Sequence, residues 1–423
     1  MGQKTIQPTR LSGRVKVPPS KSMAHRAIIC AALAEGRSTV ENIAFSDDIL
    51  ATIEGMRRLG ARIEDIGGGA LVVDGIRQGQ AMGGTPEIDC KESGSTLRFL
   101  IPVALKMAHG ARLIGQGNLG KRPLDVYTKI FDEQGIAYQA QGPLLDFQVS
   151  GQLRAGTFSM QGDVSSQFIT GLLFILPLME EDSELIITTH MESKSYVDMT
   201  LSVLADFGIR VENEAYRRFI IPGGQKYRAT RYRVEGDFSQ AAFFLCADAM
   251  GSAVQVEDLK RDSLQGDSAV LDILQRMGAE VCQEDGTVCC RADALHAVDI
   301  DASQCPDIIP VVSVAAALCK GTTTIRNARR LRIKECDRLH AIFAELTKLG
   351  ARIKEKEDSL EIEGVERFTG GTVWSHKDHR IAMMLAIAAT RAEGPVVIED
   401  WECVSKSYPN FFEDYTMLGG NCQ

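Results

Sequence analysis

The chain has 423 residues, of which 44% are hydrophobic and 24% charged, and its formal net charge is −9. That length supports two or three domains with ample core. The acidic balance argues against a nucleic-acid surface, which needs a basic face or run; the densest basic cluster, Arg329-Arg330-Leu331-Arg332-Ile333-Lys334, is followed at once by acids.

In chain order, an extended stretch Arg14-Val15-Lys16-Val17-Pro18 leads into an apolar helix predicted over 21–35. An amphipathic helix follows and stops at Leu59-Gly60, ahead of the alternating strand start Ala61-Arg62-Ile63. The same phrase then returns. Apolar helices are predicted over 95–109, 166–178, 239–250, 307–320 and 378–392, and amphipathic ones end at Gln134-Gly135, Phe207-Gly208, Met277-Gly278, Leu349-Gly350 and Leu418-Gly419. The terminal glycines recur at roughly 70 to 75 residues, long for a solenoid and right for a small α/β unit. Gly suits a helix end because the left-handed conformation costs it nothing.

The apolar helices are hydrophobic on nearly every face, as in Phe168-Ile169-Thr170-Gly171-Leu172-Leu173-Phe174, and so belong inside a domain. Their uncharged runs are about 12 residues or fewer, too short for a membrane span. The repeats divide three and three near Val234-Glu235, and Tyr232-Arg233-Val234-Glu235-Gly236 before the fourth helix resembles Arg14 to Pro18 before the first. Both stretches are therefore expected to cross between domains. The expected architecture is α/β, with one domain over 1–19 and 235–423 and another over 20–234, joined by two strands.

The N-terminus has neither an apolar signal region nor an Arg-rich transit segment, which predicts a cytoplasmic protein. The 11 cysteines fit: they are dispersed, and Cys30, Cys246 and Cys319 fall in apolar helices as small core residues. No paired C-x-x-C or H-E-x-x-H occurs, so no metal site is predicted.

The helix starts carry the chemistry. They read Ser20-Lys21-Ser22 with Arg26; Glu92-Ser93-Gly94-Ser95-Thr96 with Arg98; Asp163-Val164-Ser165-Ser166-Gln167; Asp237-Phe238-Ser239-Gln240; Pro306-Asp307; and Lys377-Asp378-His379-Arg380. Ordinary N-capping accounts for Ser95, Ser239 and Asp237. It does not account for Lys21, Arg26, Arg98 and Arg380, because cations at a positive helix end oppose the macrodipole. An anion bound there, on backbone N–H groups and cations together, relieves that conflict. Further cations stand in loops: Lys121-Arg122 after the glycine-rich Gly115-Gln116-Gly117, Lys334 to Arg338, and Lys406. Together they suggest a cationic cleft in an acidic protein, suited to small, multiply charged anions.

Several of these stretches resemble the motifs of the 5-enolpyruvylshikimate-3-phosphate synthase family of enolpyruvyl transferases. Pro18-Pro19-Ser20-Lys21-Ser22-Met23-Ala24-His25-Arg26 is similar to its P-x-S-K-S-x-x-x-R opening. Ser93-Gly94-Ser95-Thr96-Leu97-Arg98, Lys121-Arg122-Pro123, Gly162 to Phe168, Lys334-Glu335-Cys336-Asp337-Arg338-Leu339, Asp378 to Met383 and Lys406-Ser407-Tyr408-Pro409 match in order along the chain. The resemblance implies two similar domains, each of three βαβαββ units, with the active site in the cleft between them. It implies transfer of the enolpyruvyl group of phosphoenolpyruvate to the 5-hydroxyl of shikimate 3-phosphate, in the shikimate route to aromatic amino acids. It further implies a monomer, no cofactor or metal, and sensitivity to glyphosate.

By the same resemblance, Asp307 takes the proton from the 5-hydroxyl, and Glu335 and Lys21 are the candidates for proton transfer at C3 and at the bridging oxygen. Ser22 and Arg26 hold the shikimate carboxylate; Ser165, Ser166, Ser193 and Lys334 surround its phosphate; Gln167 and Tyr196 line the ring, with Lys21 and Asp307 also in contact. Phosphoenolpyruvate meets Lys21, Gly94, Arg122, Gln167, Arg338, Arg380 and Lys406. Arginine suits the task because its planar fork grips carboxylate and phosphate in pairs. Three positions depart from the pattern: Glu92 stands where many relatives have Asn, Ser195 where Pro is common, and Arg330 where some have Asn.

Three other readings compete, of which an RNA-end-modifying relative with similar repeats is disfavoured by the acidic balance. The sister transferase acting on UDP-N-acetylglucosamine has Lys-Asn at Lys21-Ser22 and usually a Cys in the loop where this chain has Gly115 to Lys121, and no Cys lies between Cys90 and Cys246. A non-catalytic anion-binding module keeps the cations but has no use for the acid/base pair Asp307 and Glu335.

Overall fold

The structure, a computed structural model, describes residues 2–77 and 84–423. Among them the strands form six four-stranded sheets, all assembled alike. The second repeat shows the pattern in one stretch of chain. Strand Glu87–Asp89, helix Gly94–Ala108, strand Gly110–Ile114 and helix Asp125–Gln134 are followed by the hairpin Ala137–Ala140 and Asp146–Ser150. Glu87–Asp89 lies parallel to Gly110–Ile114, which is why a crossover helix must connect them. Asp146–Ser150 continues the sheet antiparallel, with Ala137–Ala140 at its edge.

The chain packs into two compact units, Met1–Ser20 with Glu235–Gln423, and Lys21–Val234. Strand Ser12–Lys16 runs toward the first buried helix, yet it pairs in parallel with Ala253–Glu257 of the fourth repeat. Arg231–Arg233 runs toward the fourth buried helix and pairs with Arg37–Glu41 of the first. Each lead-in strand therefore stays in the unit the chain is leaving, and only a short segment after it crosses. The last sheet is completed by Gln3–Gln7, antiparallel to Val396–Glu399 and to Asn421–Cys422.

The apolar helices are the cores. In Phe238–Ala249 every residue is buried, and in Ser166–Ile175 all but Gln167. Burial of this kind is the main driving term for the fold. The glycines that punctuate the repeat, Gly60, Gly135, Gly208, Gly278, Gly350 and Gly419, all have positive φ, from 70° to 103°. A residue with a Cβ disfavours that conformation, so the helices stop there and the strands begin.

The fifth buried helix starts later than the sequence pattern suggests, at Ile309–Ala316, with Pro310 in its first turn. Pro is pre-organised for that position and needs no N–H there. Asp307 is thereby left in the preceding turn, where its carboxylate is not spent on a cap. Among the described residues no helix is long and apolar enough to cross a membrane.

Candidate active site

In the unit Lys21–Val234 several of the candidate residues stand at the first turns of the buried helices. Lys21 opens helix Lys21–Leu33, and its Nζ lies 2.7 Å from Asp48 Oδ2 at the start of helix Asp47–Arg58. Arg26, one turn further in, is buried and donates from Nη1 to the Ser22 carbonyl (2.6 Å), from Nη2 to the Tyr196 carbonyl (2.9 Å) and from Nε to Thr200 Oγ1 (2.8 Å). Burial lowers its pKa to about 10, so it stays charged at neutral pH. Two of its five N–H donors thus lock the backbone at Ser22 and Tyr196 in place, and a third holds the Thr200 hydroxyl.

Helix Gly94–Ala108 is capped by Ser93, whose Oγ accepts from the Thr96 N–H at 3.1 Å. A Cβ placed on Gly94 would stand 2.6 Å from Arg122 Nη1 and 3.5 Å from Gln167 Oε1. Gly94, Arg122 and Gln167 therefore share one small space. Gln167 is fixed at both ends of its amide: Oε1 accepts from Arg98 Nη1 (2.7 Å), and Nε2 donates to Ser95 Oγ (3.0 Å). Ser165 caps the third helix through the Gln167 N–H at 3.3 Å, and Ser166 behind it is buried. Ser193, also buried, has φ of 51° and accepts the Tyr196 N–H through its carbonyl at 3.1 Å.

The other unit gathers its charges around Arg338, which opens helix Arg338–Lys348 and is 1% exposed. Its guanidinium donates to three carboxylates: Asp378 (Nε, 2.7 Å; Nη2, 3.2 Å), Asp307 (Nη1, 2.8 Å) and Glu335 (Nη2, 2.7 Å). Lys334 Nζ donates to the same Asp307 oxygen at 3.2 Å, and Lys406 Nζ lies 3.9 Å from Glu335. Arg380 points Nη2 at Ser239 Oγ (3.0 Å), with its Nε 3.7 Å from Asp307. Asp378 meanwhile caps helix His379–Ala389 through the Arg380 N–H at 2.9 Å. One carboxylate thus holds both the Arg338 guanidinium and the backbone of Arg380.

The charges perturb one another. Burial raises the cost of the Lys334 ammonium and lowers its pKa, against the pull of Asp307. For Arg338 burial acts in the same direction, but Asp378, Glu335 and Asp307 outweigh it and hold the group charged. Burial, and then the Asp307 carboxylate, push Asp267 up to about 7.

A sequence model of the family described as EPSP synthase (3-phosphoshikimate 1-carboxyvinyltransferase) matches residues 6–415. The chain belongs to the EPSP synthase family. It is 58% identical to the 3-phosphoshikimate 1-carboxyvinyltransferase of Clostridioides difficile strain 630, over 99% of this chain and 98% of the relative. It is 57% identical to that of Clostridium beijerinckii, over 99% and 98%. Among solved structures, the EPSP synthase from Acinetobacter baumannii superposes with a TM-score of 0.84 at 26% identity, covering all of both chains.

The geometry also revises the reading of the cations. Lys21 is paired with Asp48, Arg98 with Gln167 and the Pro123 carbonyl (3.2 Å), and Arg380 with Ser239. Protein partners thus relieve part of the conflict with the helix dipoles before any anion arrives. Ser95 is not the cap of its helix; Ser93 is, which releases Ser95 to hold Gln167. Sequence reasoning did not single out Asp48 or Asp267. Nothing local marks either one, since Asp48 looks like an ordinary first-turn acid and Asp267 is buried only by the tertiary packing.

Proposed function

We propose that this EPSP synthase family member transfers the enolpyruvyl group of phosphoenolpyruvate to the 5-hydroxyl of shikimate 3-phosphate and releases phosphate, as a cytoplasmic monomer. The reaction adds the hydroxyl to C2 while C3 is protonated, then expels phosphate as a C3 proton is lost. It needs a base for the hydroxyl, an acid/base group at C3, and cations for two phosphates and two carboxylates. Asp307 is the base. Glu335 and Lys21 serve C3 and the bridging oxygen.

The observation that carries this reading is the grip of one buried guanidinium on both reacting carboxylates, Asp307 at 2.8 Å and Glu335 at 2.7 Å. Arg338 holds both on one guanidinium and so fixes their separation, which a general base and a proton-transfer group require. In this reading Ser22, Arg26, Ser165, Ser166, Gln167, Ser193, Tyr196 and Lys334 hold shikimate 3-phosphate. Lys21, Gly94, Arg122, Gln167, Arg338, Arg380 and Lys406 hold phosphoenolpyruvate. Fixing Gln167 from both sides supports its service to both substrates.

The test is phosphate release from the two substrates by the wild type and by Asp307→Ala. Wild-type turnover with a loss of about 10²–10⁴-fold in the variant is expected. Absence of wild-type release would overturn the reading; an equally fast variant would remove only the role of Asp307.

A further inference from the structure

Seven residues beyond Arg338, on the same helix, lies a second acid that the catalytic reading leaves unused. Glu345 is 1% exposed, and it receives four hydrogen bonds. Lys348 Nζ donates to both of its oxygens at 2.9 Å, the Trp374 backbone N–H to Oε2 at 2.9 Å, and His376 Nε2 to Oε1 at 2.8 Å. Burial pushes its pKa up, but the bonds from His376, the Trp374 N–H and Lys348 outweigh that and hold the carboxyl below its ordinary value. Two of those donors belong to the segment that runs from strand Gly371–Trp374 into Asp378 and helix His379–Ala389.

That segment is wound against its preference. His376 and Lys377 stand consecutively in the left-handed region, at φ 53° and 55°, though both carry a Cβ. Side chains disfavour that conformation, and it persists only where surroundings over-determine it. Here they do. The His376 ring lies against the Trp374 ring at 4.2 Å between centroids, and the Trp374 indole N–H donates to Asp400 at 2.9 Å. Ser375 Oγ donates to the Asp400 carbonyl (3.0 Å) and accepts the Lys377 N–H (3.1 Å), and the Asp378 N–H donates to the Ser375 carbonyl (2.9 Å). The turn so enforced ends on Asp378, which grips Arg338 and caps the helix that carries Arg380.

We propose that the His376–Glu345 contact is a positioning clamp for phosphoenolpyruvate binding, joining the helix of Arg338 to the turn of Asp378 and Arg380 at a second point about two helical turns from the first. One contact, Arg338 with Asp378, fixes a hinge; the bonds of Glu345 to the His376 ring and to the Trp374 N–H fix the angle. Neither His376 nor Glu345 is assigned to substrate in the proposed function. They act through Arg338 and Arg380, and the inference rests on the assignment of those two arginines to phosphoenolpyruvate.

The test compares His376→Ala, His376→Gln and Glu345→Gln with the wild type in the phosphate-release assay, varying each substrate in turn, alongside thermal melts. Expected for His376→Ala is a rise of about tenfold in KM for phosphoenolpyruvate, with KM for shikimate 3-phosphate within about twofold. His376→Gln, which keeps a donor at similar reach, restores most of the loss, and Glu345→Gln reproduces it. Equal rises for both substrates, or no rescue by Gln in a variant that melts as the wild type does, would overturn the clamp. A wild type that releases no phosphate would instead overturn the functional reading beneath it.

Discussion

Gly94→Ala tests the site most sharply, because its effect is legible from one distance. The new Cβ would stand 2.6 Å from Arg122 Nη1, whereas ordinary contact begins near 3.4 Å, so the guanidinium must retreat by about 0.8 Å. The obstructing atom is the far end of a flexible side chain, so the fold tolerates the shift. The backbone tolerates it too, since Gly94 is not among the residues of positive φ. Ala even favours a helix over Gly by up to about 1 kcal/mol. Substrate geometry is less forgiving: a displacement of about 1 Å can cost about 100-fold. Arg122 shares its proposed anion with other cations, so about a tenfold rise in KM for phosphoenolpyruvate is expected, or ~1.4 kcal/mol.

The assay is steady-state phosphate release with each substrate varied at saturating levels of the other, plus a thermal melt. Shikimate 3-phosphate should keep its KM within about twofold, and the melting temperature should hold or rise. An unchanged KM for phosphoenolpyruvate would show that Arg122 does not depend on the empty space at Gly94. Equal losses for both substrates would show that Gly94 matters through Gln167 instead.

Further outcomes follow from the buried charges. Arg338→Ala strands Asp307, Glu335 and Asp378 around a missing cation, and should cost about 3–5 kcal/mol in a denaturant titration as well as abolish turnover. His25 is fully buried, its Nδ1 2.7 Å from Thr52 Oγ1, and burial lowers its pKa to about 3. A base depressed in the folded state binds fewer protons there, so wild-type stability should fall as pH drops from about 6.5 toward 3, by at most ~5 kcal/mol. Melts of His25→Gln across that window should show a shallower decline; parallel curves would refute the assignment. Asp267 has the opposite sign. Its raised value, about 7, favours the protonated folded state, a contribution present below about pH 4 and lost as pH rises through 7. Asp267→Asn should therefore melt above the wild type at pH 8 and not at pH 4.

The repeat was legible because its signals are local: a run apolar on every face, then an amphipathic one, then Gly. Each of those glycines takes positive φ, as helix termination requires. Strand exchange was less legible. Ser12–Lys16 and Arg231–Arg233 look alike in sequence, but their partners, Ala253–Glu257 and Arg37–Glu41, lie about two hundred residues away and no local pattern names them. The limit is the same at the site. Lys21, Arg98 and Arg380 stood out as cations at the wrong end of a helix, yet the groups that answer them, Asp48, Gln167 and Ser239, are fixed only by packing.

The unit Met1–Ser20 with Glu235–Gln423 shows why no single repeat could reveal the chemistry. Its fourth repeat supplies Ser239 and Asp267, its fifth Asp307, Lys334, Glu335 and Arg338, and its sixth Asp378, Arg380 and Lys406. Arg380 meets Ser239 across 141 positions of sequence, and Arg338 meets Asp378 across 40. Three copies of one scaffold bring three unlike sets of polar residues to the same helix ends. Because each copy needs its core and its terminal Gly to fold, those features stay alike and visible. The helix starts are under no such common constraint, so each can carry a different charge. The buried Arg338 can then hold three carboxylates because the sixth repeat adds Asp378 to the Asp307 and Glu335 of its own fifth repeat.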